Sequence, residues 1–177
     1  MKILRRILVV LGVLLFVLIA ISQLLPSKYH VERSVMIQAK PEAIHVWIND
    51  LKKWPEWSAW TVAKDPTLVT TYEGPEQGAG AISKWEGKKL GQGQMTLTES
   101  DPLKGVKFNL SFEQGKYRST SSLAFEPAGD TTKVVWGMDG DVSRNPMDRY
   151  FSLLMDKMIG PDFEEGLANL KKKAEGK

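Results

Sequence analysis

Residues 31–60 read VERSVMIQAKPEAIHVWINDLKKWPEWSAW, and the change of hydrophobic period inside this stretch decides the fold. From Tyr29 to Gln38, Val31, Val35 and Ile37 share one parity while His30, Glu32, Ser34 and Gln38 share the other, the period-two pattern of a half-buried strand. Lys40-Pro41-Glu42 then opens a helix, because a first turn has no use for the N–H that proline lacks. Ile44, Trp47, Ile48 and Leu51 recur at helical spacing, which makes Trp47 a core residue, and LKKWPEWSAW reads as a second short helix or turn.

Downstream the chain alternates between apolar and polar residues, broken by turns: LVTTYEG, AISKWEG, QGQMTLTES, VKFNLSFE, YRSTSSLAFEP and TKVVWGMDGDV. Separators such as Gly74-Pro75, Asp101-Pro102, Glu113-Gln114-Gly115 and Ala128-Gly129-Asp130 are short enough for antiparallel hairpins. With the first strand they predict a seven-stranded sheet. Asn145-Pro146 opens a long helical segment in which Met147, Tyr150, Phe151, Leu154, Met155 and Met158 share a face, continued by Phe163, Leu167, Leu170 and Ala174. That stripe must cover the sheet. Gly160-Pro161 interrupts it, and proline's missing hydrogen bond predicts a kink or two abutting helices there. Lys171-Lys172-Lys173 suits a solvated helix C-terminus.

Residues 7–25, ILVVLGVLLFVLIAISQLL, carry no charge and 15 Ile, Leu, Val or Phe residues, about the length that crosses a bilayer core as a helix. At about −0.3 to −0.6 kcal/mol per such residue, insertion is worth roughly −5 to −9 kcal/mol. Lys2, Arg5 and Arg6 would stay cytoplasmic, which puts the domain on the extracytoplasmic, periplasmic side of the cytoplasmic (inner) membrane. A cleaved signal peptide is the competing reading, since Ala20 and Ser22 stand at signal-peptidase spacing and a cut near Gln23 would release a secreted domain. The anchor is preferred because the run continues through Leu24 and Leu25, beyond a usual h-region of about 7 to 15 residues. The chain thus divides into a transmembrane anchor or signal peptide over 1–27 and one domain over 28–177.

Charge and composition narrow the function. The net charge is +3, but removing the three leader cations from the 24 basic residues leaves 21 against 21 acids. A neutral domain without a basic, aromatic-studded stripe is no nucleic-acid binder. The absence of cysteine excludes disulfides, thiolate metal sites and cysteine nucleophiles. His30 and His45 are the only histidines, lie outside any HxH or HxxxH arrangement and read as surface residues, so neither a metal nor a cofactor is expected. Gly78-Ala79-Gly80 and Gly91-Gln92-Gly93 lie between strands rather than before a helix and read as turns and bulges, not phosphate loops.

Strand, two short helices, six antiparallel strands and a long C-terminal helix follow the order of the α+β helix-grip fold, a curved sheet wrapped around that helix with a cavity between them. The stretch from Val31 to Trp60, with its P-E-x-apolar-apolar-W run and W-x-x-W loop, resembles the opening of the polyketide cyclase/dehydrase and lipid-transport family of the START-like (SRPBCC) superfamily. GPDFEEGLANLKKKAE, from Gly160 to Glu175, is similar to that family's last helix. The resemblance spans about residues 29–175 and implies a pocket for a lipid, sterol, polyketide or other hydrophobic molecule, catalytic in some members only. It also implies that Trp57 and Trp60 reach the cavity mouth.

The inward parity of the strands carries Tyr72, Trp85, Met95, Phe108, Phe112, Trp136 and Met138, expected to face Met147, Phe151, Met155 and Met158 on the last helix. Large aromatics and flexible methionines suit an irregular hydrophobic ligand. The titratable candidates Glu73, Glu86, Glu99, Glu113, Arg118, Asp139 and Asp141 fall mostly on the opposite parity. The leading expectation is a membrane-tethered binding or carrier domain, its partners a hydrophobic small molecule or lipid and the membrane itself. A polyketide cyclase or dehydratase is the alternative. A packed scaffolding domain is a second, favoured if the interior void is below roughly 300 Å³.

Overall fold

In the computed structural model, which describes residues 2–176, the leader is a single helix, α1 (Lys2–Leu24), exposed along almost its whole length. It is long and apolar enough to cross a membrane. Three residues separate it from β1 (Lys28–Ile37), whose odd-numbered side chains turn inward, with Val31 and Ile37 fully buried. α2 (Pro41–Ile48) begins with proline in its first turn. A 3-10 helix follows over Leu51–Glu56, capped by the Asp50 carboxylate, which accepts from the Lys52 N–H.

The remaining strands are β2 (Val69–Glu73), β3 (Ile82–Gly87), β4 (Gly91–Asp101), β5 (Gly105–Phe112), β6 (Tyr117–Ala128) and β7 (Thr131–Asp141). β2 to β7 form an antiparallel meander, and β1 joins it beside β7, giving seven strands in the order β1-β7-β6-β5-β4-β3-β2. Gly105 shows why the β4–β5 turn needs glycine: its φ is +97°, and a Cβ there would collide with the Leu123 carbonyl oxygen. The register slips between Leu97 and Glu99, where Thr98 bulges, so Glu99 returns to the outer face beside Lys107. Gly91 and Gly93 lie inside β4 rather than in a turn, and the indole of Trp85 occupies the space a Cβ on Gly93 would need.

The C-terminal helical segment departs from expectation. It breaks not at Gly160-Pro161 but earlier, into α3 (Pro146–Ser152) and α4 (Met155–Ala174), with Pro161 inside α4. α3 turns away from the sheet to pack on α1. α4 lies against β1, where Arg33 bridges Asp156 at 2.7 Å and Glu164 at 2.6 Å. Gly160 allows this, since a Cβ there would overlap the Arg33 guanidinium.

Two further expectations are corrected. Trp47 is half-buried at the edge of the core, with Lys53 and Lys173 over its ring at 5.6 and 5.4 Å. His45 is buried rather than on the surface, because α2 lies on the sheet and brings its Nε2 within 2.9 Å of Ser100 Oγ. His30 is exposed and contacts Asp139 at 2.8 Å.

Candidate functional site

Between the concave face of the sheet and its helical cover lies a cavity of about 210 Å³. Its floor is Met95 of β4, Phe108, Leu110 and Phe112 of β5, and Trp136 and Met138 of β7. The side wall comes from Thr70 and Tyr72 of β2, Ser83 and Trp85 of β3, and Leu90 at the β3–β4 turn. Leu51, Trp54 and Pro55 of the 3-10 helix, Ser58, Trp60 and Leu68 after it, and Ile159 and Phe163 of α4 form the roof.

Aromatic rings hold one end rigid. Phe163 stacks on Trp136 with centroids 4.2 Å apart and planes 8° from parallel, while Trp54, Trp57 and Trp60 meet Trp136 edge-on at 6.2, 5.6 and 5.7 Å. Each indole N–H is satisfied: Trp54 donates to the Ile48 carbonyl, Trp57 to the Trp47 carbonyl, Trp60 to Asp162 and Trp136 to Ser121 Oγ. Buried rings with their one polar atom bonded have no competing orientation. Gly166 completes the packing, since a Cβ there would come within 2.9 Å of the Trp136 ring.

The opposite wall hangs on one carboxylate. Asp65, 1% exposed, accepts from the Thr67 hydroxyl and N–H at 2.6 and 3.0 Å and from the Lys89 and Leu90 N–H groups at 2.7 and 3.0 Å. The Thr67 hydroxyl and then these backbone donors hold its pKa far below the usual carboxylate range. It thereby ties the loop that carries Leu68 to the hairpin that carries Leu90. Lys64, bonded to Asp162 at 2.7 Å and Glu165 at 3.0 Å, clips the same loop to α4.

Of the residues singled out in the sequence, Trp60, Tyr72, Trp85, Met95, Phe108, Phe112, Trp136 and Met138 come together around the cavity. Trp57 does not: it is fully buried between Trp54 and Trp136, one layer behind the wall. Met147, Phe151 and Met158 are 67%, 51% and 52% exposed and do not line the cavity: Met147 and Phe151 because α3 follows α1 instead of the sheet, Met158 because it lies on the solvent side of α4, whose Ile159 and Phe163 take the inward positions. Met155 packs on the edge of the core without reaching the void. The lining residues passed over carried readable signals: Leu110 shares the parity of Phe108 and Phe112, Thr70 that of Tyr72, Ser83 that of Trp85, and Ile159 and Phe163 lie four apart on α4.

Polar chemistry in the cavity is sparse. Ser58, Thr70 and Ser83 offer hydroxyls, and Tyr72 is the one titratable side chain among the described lining residues, its pKa raised chiefly by burial. Glu73, Glu99 and Glu113 pair with Lys84, Lys107 and Lys116 away from the void. Among the described residues no group of three His, Asp or Glu side chains could hold a metal. Such a lining can select for apolar shape with a few hydroxyl contacts.

A curved seven-stranded antiparallel sheet gripping a C-terminal helix around an apolar void defines a helix-grip domain. The chain belongs to the polyketide cyclase / dehydrase and lipid transport family, whose model matches residues 28–175. No curated protein matches it significantly. Among solved structures it is similar to a Chromobacterium violaceum protein (13% identity, 85% of this chain and 98% of that one, TM-score 0.54). A Thermobifida fusca protein is also similar (18% identity, 82% and 92% covered, TM-score 0.59). So is the di-domain ARO/CYC StfQ from the steffimycin biosynthetic pathway (9% identity, 84% and 51% covered, TM-score 0.61). At these identities the likeness is one of fold.

Proposed function

We propose that the protein is a membrane-held binding domain that takes a hydrophobic small molecule, or part of a lipid, into its apolar cavity. The observation that carries this reading is the lining itself, an aromatic and methionine surface left unfilled by the protein's own side chains. Its volume sets the ligand's size. An apolar cavity of roughly 150 Å³ admits a benzene ring, so about 210 Å³ suits a small ring system or one segment of an acyl chain. The family supports the reading, since its description includes lipid transport. α1 would hold the domain at the extracytoplasmic face of the cytoplasmic membrane, as its flanking cations favour; cleavage of α1 would make the same domain a secreted binder.

The volume also favours a second reading. About 210 Å³ lies below the roughly 300 Å³ at which ligand pockets ordinarily begin, as expected of a packed domain that holds partners at the membrane. Cavity filling separates the two. Naphthalene and a short fatty acid should each raise the melting temperature of the full-length protein, by mass action on the folded state, and Leu110→Trp should abolish the shift while keeping the native circular dichroism. If neither probe moves the melt of the unaltered protein, the binding reading fails and the packed-domain reading stands.

A further inference from the structure

The side chains that miss the cavity form a surface of their own. Met147, Phe151, Leu153, Leu154 and Met158 are 67%, 51%, 54%, 49% and 52% exposed, so α3 and the first turn of α4 present a continuous apolar strip. Five large apolar side chains exposed within twelve residues, flanked by Asp156 and Lys157, mark an interaction site rather than ordinary surface.

Its position names the occupant. α3 is bonded to the C-terminal end of α1 and the linker: Tyr150 Oη donates to the Leu18 carbonyl at 2.8 Å, Arg149 to the Leu25 carbonyl at 2.5 Å and Ser152 Oγ to the Pro26 carbonyl at 3.4 Å. The Val142 N–H donates to the Ser27 carbonyl at 2.7 Å. The domain therefore does not hang on a free tether. If residues 7–25 cross a bilayer, Leu18 lies about 10 Å below Leu25 at ~1.5 Å per residue. The Tyr150 hydroxyl, hydrogen-bonded to the Leu18 carbonyl, then lies near that depth, and interfacial helices sink their apolar faces roughly 5–10 Å. The acidic side chains on the segment are already engaged, Asp148 with Ser143 and Tyr117 and Asp156 with Arg33, while Arg144, Arg149 and Lys157 supply cations beside it.

We propose that α3 and the first turn of α4 insert into the leaflet that receives the C-terminal end of α1, seating the domain on the lipid surface. The Phe112 end of the cavity then faces the membrane, because Phe112 pairs with Tyr117, whose hydroxyl reaches Asp148 of α3. A ligand would pass between leaflet and cavity without crossing water. The inference rests on α1 spanning the bilayer, so its test reports on α1 separately.

The chain has no cysteine, which makes single-site spin labelling clean. Leu14→Cys in α1, Phe151→Cys and Met158→Cys in the strip, and Ser34→Cys on the outer sheet face would each be labelled in the full-length protein, reconstituted in vesicles of phosphatidylethanolamine and phosphatidylglycerol. Docking predicts that labels at 14, 151 and 158 collide more with oxygen and less with a water-soluble nickel chelate than the label at 34. A lipid-embedded label at 14 with aqueous labels at 151 and 158 would overturn docking and leave the anchor standing. An aqueous label at 14 would overturn both. Labels at 151 shielded from both reagents and broadened by each other would place a second copy on the strip, against the lipid surface.

Discussion

Two glycines of α4 do different work although both cost a helix about 1 kcal/mol relative to alanine. At Gly166 an added methyl would meet the rigid Trp136 ring, itself fixed by Phe163 and by its bond to Ser121. At Gly160 it would meet the end of a flexible arginine. Gly166→Ala is therefore expected to lower stability by about 1–3 kcal/mol, the usual range for overpacking. Gly160→Ala should fall within about 1 kcal/mol of neutral, since the propensity gain offsets an exposed ion pair worth ~0–1 kcal/mol. Urea denaturation measures both, and equal effects would refute this packing account. His45 adds a dependence on pH. Burial lowers its pKa below the ordinary value of 6.5, against a smaller opposing pull from Asp101. The unfolded chain thus binds the proton first, and stability is lost as pH falls through about 6.5. His30 works oppositely, since its bond to Asp139 raises its pKa and its contribution fades as pH rises. The stability of the parent protein relative to His45→Gln should decline between about pH 7 and pH 5; parallel curves for the two would exclude the role given to His45.

Among the elements, the loop from Thr61 to Leu68 and the turn of the β3–β4 hairpin are held by hydrogen bonds more than by packing. Asp65 satisfies four donors at once, and asparagine would turn one acceptor into a donor facing N–H groups. Asp65→Asn is expected to lower the melting temperature and to speed hydrogen exchange at the Lys89 and Leu90 amides, where unchanged protection would show that the hairpin holds itself. Because the Asp65 pKa is depressed, its contribution is present above the usual carboxylate value near 3.8 and is lost as pH falls below it. The break between α3 and α4 has a similarly local cause. The Asn145 side chain caps α3 by accepting from the Met147 N–H, and Tyr150, Arg149 and Ser152 then commit α3 to the carbonyls of α1 and its linker. Those bonds hold α3 beside α1, so the apolar stripe does not run on along the sheet.

For the chain as one body, the leader determines what the exposed strip means. With α1 retained as an anchor, the proposed docking would lay the strip against the lipid that α1 enters. With α1 removed, the same strip would face water on a secreted protein, an aggregation hazard. The mature protein is accordingly expected to keep its leader: N-terminal sequencing should start at Met1 or Lys2 and fractionation should find the chain in membranes, whereas a start near Gln23 would end the anchor reading.

Strand count, strand order in the chain and the inward parity were legible from residues 28–141, because alternation with period two reports which side chains face the core wherever the sheet is regular. The same rule found most of the floor and side wall, from Tyr72 to Met138. It had no purchase on the roof, which comes from a 3-10 helix, a loop and α4 in non-periodic contact, nor on His45, whose burial depends on where α2 lands. Helical periodicity put Met147, Phe151 and Met158 on one face without saying which surface that face would meet. The packing of α3 on α1, the exposure of all three side chains, and the volume left open beneath Trp136 depended on how elements distant in sequence pack, since a void is a difference between shapes that no single stretch of chain contains.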